Sequence, residues 1–300
     1  MKVNDVKKIA VIGCGTLGAT LAAAAAPKYE VVVKRRDISK GLAEEAMQRI
    51  SRCFPSMVRR DTLKEEQIEV ALSHISMTAD FNDLKDCQVI FDATPDVLEL
   101  KIANFAQLDK ICPPEVVFLA TSACISVTGL AAGSGRPDRV MTAHFLTPVH
   151  IWTTVESAPA IQTSQETIDF TEAFLKEGLG KTVIRCKDTP GLIQDYFLFA
   201  YFNHAIKLLE LGAATVEDID TMVKAGFGVR LGPFELMDHL GMSSQISSTE
   251  AIYDQLHDKM FTSPPLLVKM VEAGYLGRAV GKGWYIWDEQ GKKAGVTKLF

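Results

Sequence analysis

The chain has no apolar run near the roughly 20 residues that a membrane-spanning helix needs. Its longest stretch of small apolar residues, Leu21 to Ala26, falls far short. The six cysteines, at positions 14, 53, 87, 112, 124 and 186, form no CxxC pair. That excludes a disulfide scaffold or a zinc ribbon, implies no metal, and fits a reducing compartment. Charge of one sign is not in excess: 32 Lys and Arg stand against 37 Asp and Glu, a net −5. Bulk attraction to nucleic acid or an anionic membrane is therefore not expected, and neither is counted among its partners. There is no low-complexity tract and no repeat. The opening MKVNDVKKIAVIG carries charges without a signal-type apolar core and cleavage site, so a cytoplasmic location is expected.

What is present is ordinary for a soluble globular protein: 300 residues, 47% hydrophobic and 23% charged. At about 150 residues per domain, that length suggests two domains. Short β-branched runs alternate with helical stretches in the first part. Strands are predicted at Lys8 to Ile12, Glu30 to Lys34, Gln88 to Phe91, Val116 to Leu119, Val140 to Ala143, Val155 to Ala160 and Thr182 to Arg185. Helical spacing marks Ser39 to Arg52 and Val97 to Asp109. Such alternation implies crossover units and a largely parallel sheet. The charged segment Ile50 to Leu72 reads as a solvated helical excursion.

After Lys187-Asp188-Thr189-Pro190-Gly191 the pattern changes. A long apolar helix is predicted from Leu192 to Leu211. Others follow at Val216 to Val223, Pro233 to Leu240, Ser243 to Lys259 and Pro264 to Ala273. The expected organisation is a dinucleotide-binding sheet domain over 1–188 and a helical substrate and dimerisation domain over 189–300. The alternative is one large α/β domain.

Gly13-Cys14-Gly15-Thr16-Leu17-Gly18 follows the first strand and opens an alanine-rich helix. In a G-x-G-x-x-G turn the first glycine makes the tight bend, the second admits a pyrophosphate, and the third lets helix and strand pack. The helix N-terminus adds unpaired N–H groups and partial positive charge. A dinucleotide site is therefore expected on Gly13, Gly15, Thr16, Leu17 and Gly18. An NAD site carries an acid at the end of the second strand, for the ribose 2′-hydroxyl. Here that end reads Lys34-Arg35-Arg36-Asp37. Arg35 and Arg36 suit a 2′-phosphate, so NADP is expected in preference to NAD. The competing reading turns Asp37 back to the ribose and leaves the arginines solvated.

Four further motifs, in order, give the chain a resemblance to the 3-hydroxyacyl-CoA dehydrogenase family. They are His144-Phe-Leu-Thr-Pro-Val-His150 with Glu156, the Lys187 to Ile193 segment KDTPGLI, the stretch from Leu208 to Asp238, and Tyr275 to Trp287. The resemblance covers nearly the whole length. It implies a doubly wound Rossmann-type domain followed by an all-α C-terminal domain, an active site in the cleft between them, and a homodimer. It implies that His144 exchanges a proton with the substrate and that Glu156 is its partner acid. An imidazole titrates near neutrality, and a carboxylate on its other nitrogen fixes the tautomer. The resemblance also places Ala93, Asp96, Lys101 and Thr121 near the nicotinamide half. Asp96 and Lys101 read equally well as a surface pair. The other histidines, 74, 150, 204, 239 and 257, read as packing or solvated residues.

Three departures matter. The family's substrate-contacting serine aligns with Ala123, so Ser122 is the nearest substitute. The asparagine before the motif proline is Thr147. The family's catalytic asparagine aligns with Asp195, followed by Tyr196 instead of arginine. An ionised carboxylate does not donate to a carbonyl, so Asp195 suits a different substrate group or a neutral acid. Arg230 offers a guanidinium to an acidic substrate group, or is a solvated helix-end cation. The expected reaction is nicotinamide-dependent interconversion of a 3-hydroxyacyl or related β-hydroxy substrate and its 3-keto form. The substrate is a small molecule, carried on a CoA or carrier thioester or free. The alternatives are a dehydrogenase of a free hydroxy acid and a non-catalytic dinucleotide-binding module.

Overall fold

The apolar run Lys8–Ile12 forms strand β1, and its side chains alternate between two cores. Ile9 and Val11 join one apolar cluster, with the buried alanines of the first helix, Phe170 and Phe174. Ala10 and Ile12 join another, with Phe105, Leu108, Val127 and Leu130. A strand covered on both faces is apolar on both, which is why β1 reads as an unbroken hydrophobic run from Ile9 to Ile12. In the computed structural model, residues 1–37 and 39–299 are described, and the chain divides into two units, Met1–Leu192 and Ile193–Phe300.

The first unit holds one eight-stranded sheet. β1 is followed by β2 (Glu30–Lys34), β3 (Ile75–Thr78), β4 (Val89–Asp92), β5 (Val117–Ala120), β6 (Val140–Phe145), β7 (Thr154–Pro159) and β8 (Thr182–Arg185). Their order is β3-β2-β1-β4-β5-β6-β7-β8. Every pairing is parallel except β6 with β7. The helices are α1 (Thr16–Ala25), α2 (Lys40–Ser51), α3 (Phe54–Val58), α4 (Ile68–Ser73), α5 (Leu98–Asp109), α6 (Val127–Gly133) and α7 (Gln165–Ala173). The order reverses between β1 and β4, and the loops beyond their carboxyl ends make the crevice where such sheets bind ligands.

Two expectations need amendment. β3 has no sequence counterpart above: Ile75–Thr78 is a short edge strand on β2, with exposed Ser76 inside it. The excursion over Ile50 to Leu72 is only partly solvated. Ile50, Phe54, Met57 and Leu63 are buried in the same core as β1.

The second unit is built of α8 (Gln194–Glu210), α9 (Val216–Phe227), α10 (Pro233–Leu240), α11 (Met242–Leu256) and α12 (Pro265–Glu272). It ends in a small antiparallel hairpin, β9 (Tyr285–Trp287) and β10 (Lys293–Val296). Two buried carboxylates tie its motifs together. Asp220 accepts from the amides of Phe234 and Glu235 and from the Tyr285 hydroxyl. Asp238 accepts from the amides of Trp284 and Tyr285 and from Trp287 Nε1. Burial pushes both carboxyls above their usual range, and the donated hydrogen bonds pull them back. A Cβ at Gly283 would fall 2.0 Å from Asp238 Oδ1, so the hairpin approaches that closely only with glycine there.

Candidate active site

The glycine turn sits where three strand ends meet. The Gly13 amide donates to the Lys34 carbonyl at 2.8 Å, and Ala93 donates to that of Ile12 at 2.8 Å. Gly13 has φ +96°, and a Cβ there would lie 2.7 Å from the Ala93 carbonyl oxygen. Gly18 is closer still: its Cβ would fall 2.1 Å from the Gly13 oxygen. A Cβ at Gly15 meets nothing within 4 Å. The first and third glycines are thus required by the fold, while the second borders open space of the kind a pyrophosphate needs. The first amide of α1 with a backbone partner is that of Ala19, which donates to Gly15. The amides of Thr16, Leu17 and Gly18 lie in the turn that a helix's own carbonyls do not reach. These residues fit a dinucleotide.

At the end of β2, Arg35 donates from Nη1 to the Leu42 carbonyl at 3.1 Å, and Arg36 is exposed. Asp37 Oδ1 accepts from the Ser39 amide at 2.8 Å, so its carboxylate closes a local turn.

Beyond β4, Asp92 and Lys101 are both fully buried. Lys101 Nζ donates to Asp92 Oδ1 at 3.2 Å and to the Thr94 carbonyl at 2.9 Å. Asn104 Nδ2 donates to Asp92 Oδ2 at 2.9 Å. Thr121 donates from its amide and its hydroxyl to the Asp92 carbonyl. Asp96 is a looser partner, 3.8 Å from Lys101 and 43% exposed. This corrects the surface-pair reading of Asp96 and Lys101. The lysine is an interior cation whose main partner is Asp92, and it fixes the Ala93-Thr94 turn beside the glycine loop. Asp92 and Asn104 escaped the motif reading. The signal available was an acid ending an apolar strand, with Lys101 and Asn104 three apart on one helix face.

Ser122 is buried at 4% exposure. Its Oγ accepts from the amides of Cys124 and Ile125, at 3.2 and 3.3 Å. Those bonds shape the turn after β5. Asp188, in the KDTPG segment, accepts from the amides of Val127 and Thr128 and from the Ser126 hydroxyl. It satisfies the start of α6.

The one antiparallel pairing of the sheet sets His144 of β6 directly opposite Glu156 of β7. His144 Nδ1 and Glu156 Oε2 are 2.8 Å apart, with the side chains 12% and 5% exposed. Glu156 Oε1 lies 3.8 Å from Cys186 Sγ. Twelve residues of separation thus become a cross-strand contact, because opposed residues on neighbouring strands share a face. The segment leaving β6 is held at several points. The Val149 amide donates to Thr20 Oγ1 of α1, and His150 Nε2 pairs with Ser56 Oγ at 2.7 Å. Lys181 donates to the carbonyls of Val149 and Trp152, at 2.5 and 2.7 Å. Burial pushes the Lys181 ammonium down to about 8.

In the second unit, Asp195 lies in the first turn of α8. Arg230 is exposed, after α9 and two residues before Gly232, where α10 begins.

Two family models cover almost the whole chain. The 3-hydroxyacyl-CoA dehydrogenase NAD binding domain matches residues 8–189, and the 3-hydroxyacyl-CoA dehydrogenase C-terminal domain matches 191–287. The 3-hydroxybutyryl-CoA dehydrogenase of Bradyrhizobium diazoefficiens is 33% identical over 294 residues, 98% of this chain and 99% of the relative. The crystal structure of Mycobacterium tuberculosis FadB2 matches with a TM-score of 0.89 at 31% identity, over 94% of this chain and 99% of that one. That of the (S)-3-hydroxybutyryl-CoA dehydrogenase PaaH1 from Ralstonia eutropha gives 0.85 at 30% identity, over 95% and 100%. The chain belongs to the 3-hydroxyacyl-CoA dehydrogenase family and is an oxidoreductase.

Proposed function

We propose that the protein interconverts a 3-hydroxyacyl thioester and its 3-keto form, with His144 as the proton-exchanging group. The observation that carries this reading is the buried His144–Glu156 pair at 2.8 Å. A bound nicotinamide supplies or accepts the hydride at its C4. Gly13, Gly15, Thr16, Leu17 and Gly18 hold the pyrophosphate, and Ala93, Thr121 and the Lys101-braced turn border the nicotinamide half. With Nδ1 engaged by Glu156, His144 exchanges its proton with the substrate oxygen through Nε2. In the reducing direction the imidazolium protonates the ketone oxygen as hydride arrives. Glu156 stabilises that cation beforehand and keeps the neutral ring in one tautomer.

Around this pair the substrate contacts differ from the family pattern. Asp195 replaces an amide, Ala123 replaces a serine, and Ser122 is occupied in part by the turn it shapes. We assign Asp195 and Ser122 to orienting the substrate, and Arg230 to an acidic group on it. The substrate class is a CoA or carrier thioester, in keeping with relatives named as 3-hydroxybutyryl-CoA dehydrogenases. NADP is the proposed cofactor, on the strength of Arg35 and Arg36 and of the local engagement of Asp37. A homodimer and a cytoplasmic location complete the reading, the latter in keeping with six cysteines none of which is in a disulfide.

The test is His144→Ala assayed with acetoacetyl-CoA and reduced cofactor. Turnover should fall by about a hundredfold or more, the usual contribution of general acid–base transfer. The dissociation constant of the dinucleotide should stay unchanged. Retained turnover would overturn the assignment.

A further inference from the structure

A guanidinium that no motif singles out lies beside the glycine turn. Arg49, in the last turn of α2, donates from Nη1 to the carbonyl of Cys14 at 3.4 Å. Its Nη2 pairs with Glu45 Oε1 at 2.9 Å, one helical turn back. Cys14 is the residue between Gly13 and Gly15. Arg35, just after β2, packs against the same helix by donating to the Leu42 carbonyl at 3.1 Å. Burial pushes the Cys14 thiol up, and the charges of Arg35 and Arg49 both pull it down. Arg49 thus touches the centre of the turn, while Arg35 stands against the same helix and acts on the turn through its charge. In a sheet of this order, the adenine ribose lies between that turn and the end of the second strand.

We propose that Arg49 is a specificity-determining residue, which with Arg35 clamps the 2′-phosphate of NADP between two guanidiniums. The inference rests on the NADP reading above and extends it to a second element. Phosphate accepts charge-assisted, bidentate hydrogen bonds from arginine. The existing Arg49–Glu45 pair is a weak competitor. Its side chains are 44% and 56% exposed, and ion pairs in that setting contribute little. A phosphate with close to two negative charges displaces the single carboxylate charge. Glu45 then acts as a brake on NADP affinity, because its charge remains near the site.

The experiment measures dissociation constants of the full chain for NADPH, NADH and adenosine 2′,5′-bisphosphate, by quenching of tryptophan fluorescence. Arg49→Ala should weaken NADPH and the bisphosphate by about tenfold or more, and change NADH by no more than about twofold. Arg49→Gln keeps a donor for the Cys14 carbonyl without the charge. It should lose NADPH affinity like Arg49→Ala, and it serves if the alanine variant fails to fold. Glu45→Gln should tighten NADPH by about twofold or more. Equal weakening of NADPH and NADH, or no change in either, would show that Arg49 acts only on the turn, and would overturn the inference while leaving a wild-type preference for NADPH intact. Wild-type protein that binds NADH as tightly as NADPH overturns the cofactor reading itself, and the clamp with it.

Discussion

Asp92 is a carboxylate sealed from water, and it is tolerable only because every donor around it is aimed at it. Lys101, Asn104 and Thr94 supply those donors, with Lys101 and Asp92 both fully buried. Removing one member of such a pair leaves the other charge uncompensated. Lys101→Met is therefore expected to cost about 3–5 kcal/mol of stability, read by urea unfolding. The double variant Asp92→Asn with Lys101→Met should recover part of that loss, since it takes away the stranded charge as well. Additive losses would show that the two groups do not act as a pair. His144 and Glu156 form a second pair of this kind, Nδ1 to Oε2 at 2.8 Å.

At the scale of elements, the segment leaving β6 is the informative one, because it runs from the proposed proton-exchanging histidine to contacts with α1 and α3. Lys181 pins it by two carbonyls at a site where burial pushes the ammonium down to about 8, against an ordinary 10.5. Between those two values the unfolded chain holds the Lys181 proton and the folded chain releases it. The unfolded state then binds more protons, so this group makes stability rise with pH across that window. Below pH 8 its full cost is present; above 10.5 none of it remains. Unfolding free energies measured from pH 7.5 to 10.5 should climb more steeply for wild type than for Lys181→Met, by up to about 1.4 kcal/mol per pH unit. Parallel curves would show that the folded lysine titrates normally.

The whole molecule carries its exposed apolar surface unevenly. In the second unit Phe197, Leu211, Met222 and Phe227 are each at least 70% exposed. Exposed apolar side chains of this size, four of them on α8, α9 and the residue after α8, are the kind of surface that association covers. Phe199 and Phe202 of the same long helix are buried, which leaves Phe197 as its most exposed aromatic. Light scattering should give the mass of two chains, and a Leu211→Asp, Phe227→Asp variant should give that of one. A single-chain mass for the wild type at every concentration would refute the proposed dimer.

Some of this was written in the order of residues alone. Strands β1, β2, β4 and β5 announce themselves as apolar runs, broken only by Lys8, Glu30, Lys34 and Asp92 at their ends, because both of their faces are covered. The glycine turn is legible because Gly13 and Gly18 tolerate no side chain at all. The pairing of His144 with Glu156 was expected from the family resemblance and is present in the fold. The short polar edge strand β3, the interior role of Lys101, and the reach of Arg49 to Cys14 were not expected from the order of residues. Each depends on which segments the sheet order sets side by side, with partners 9 to 35 residues apart for the latter two. Periodicity reports how one segment faces the core. Only the tertiary structure decides which buried charges meet, because that meeting depends on the register of strands and helices that local sequence does not encode.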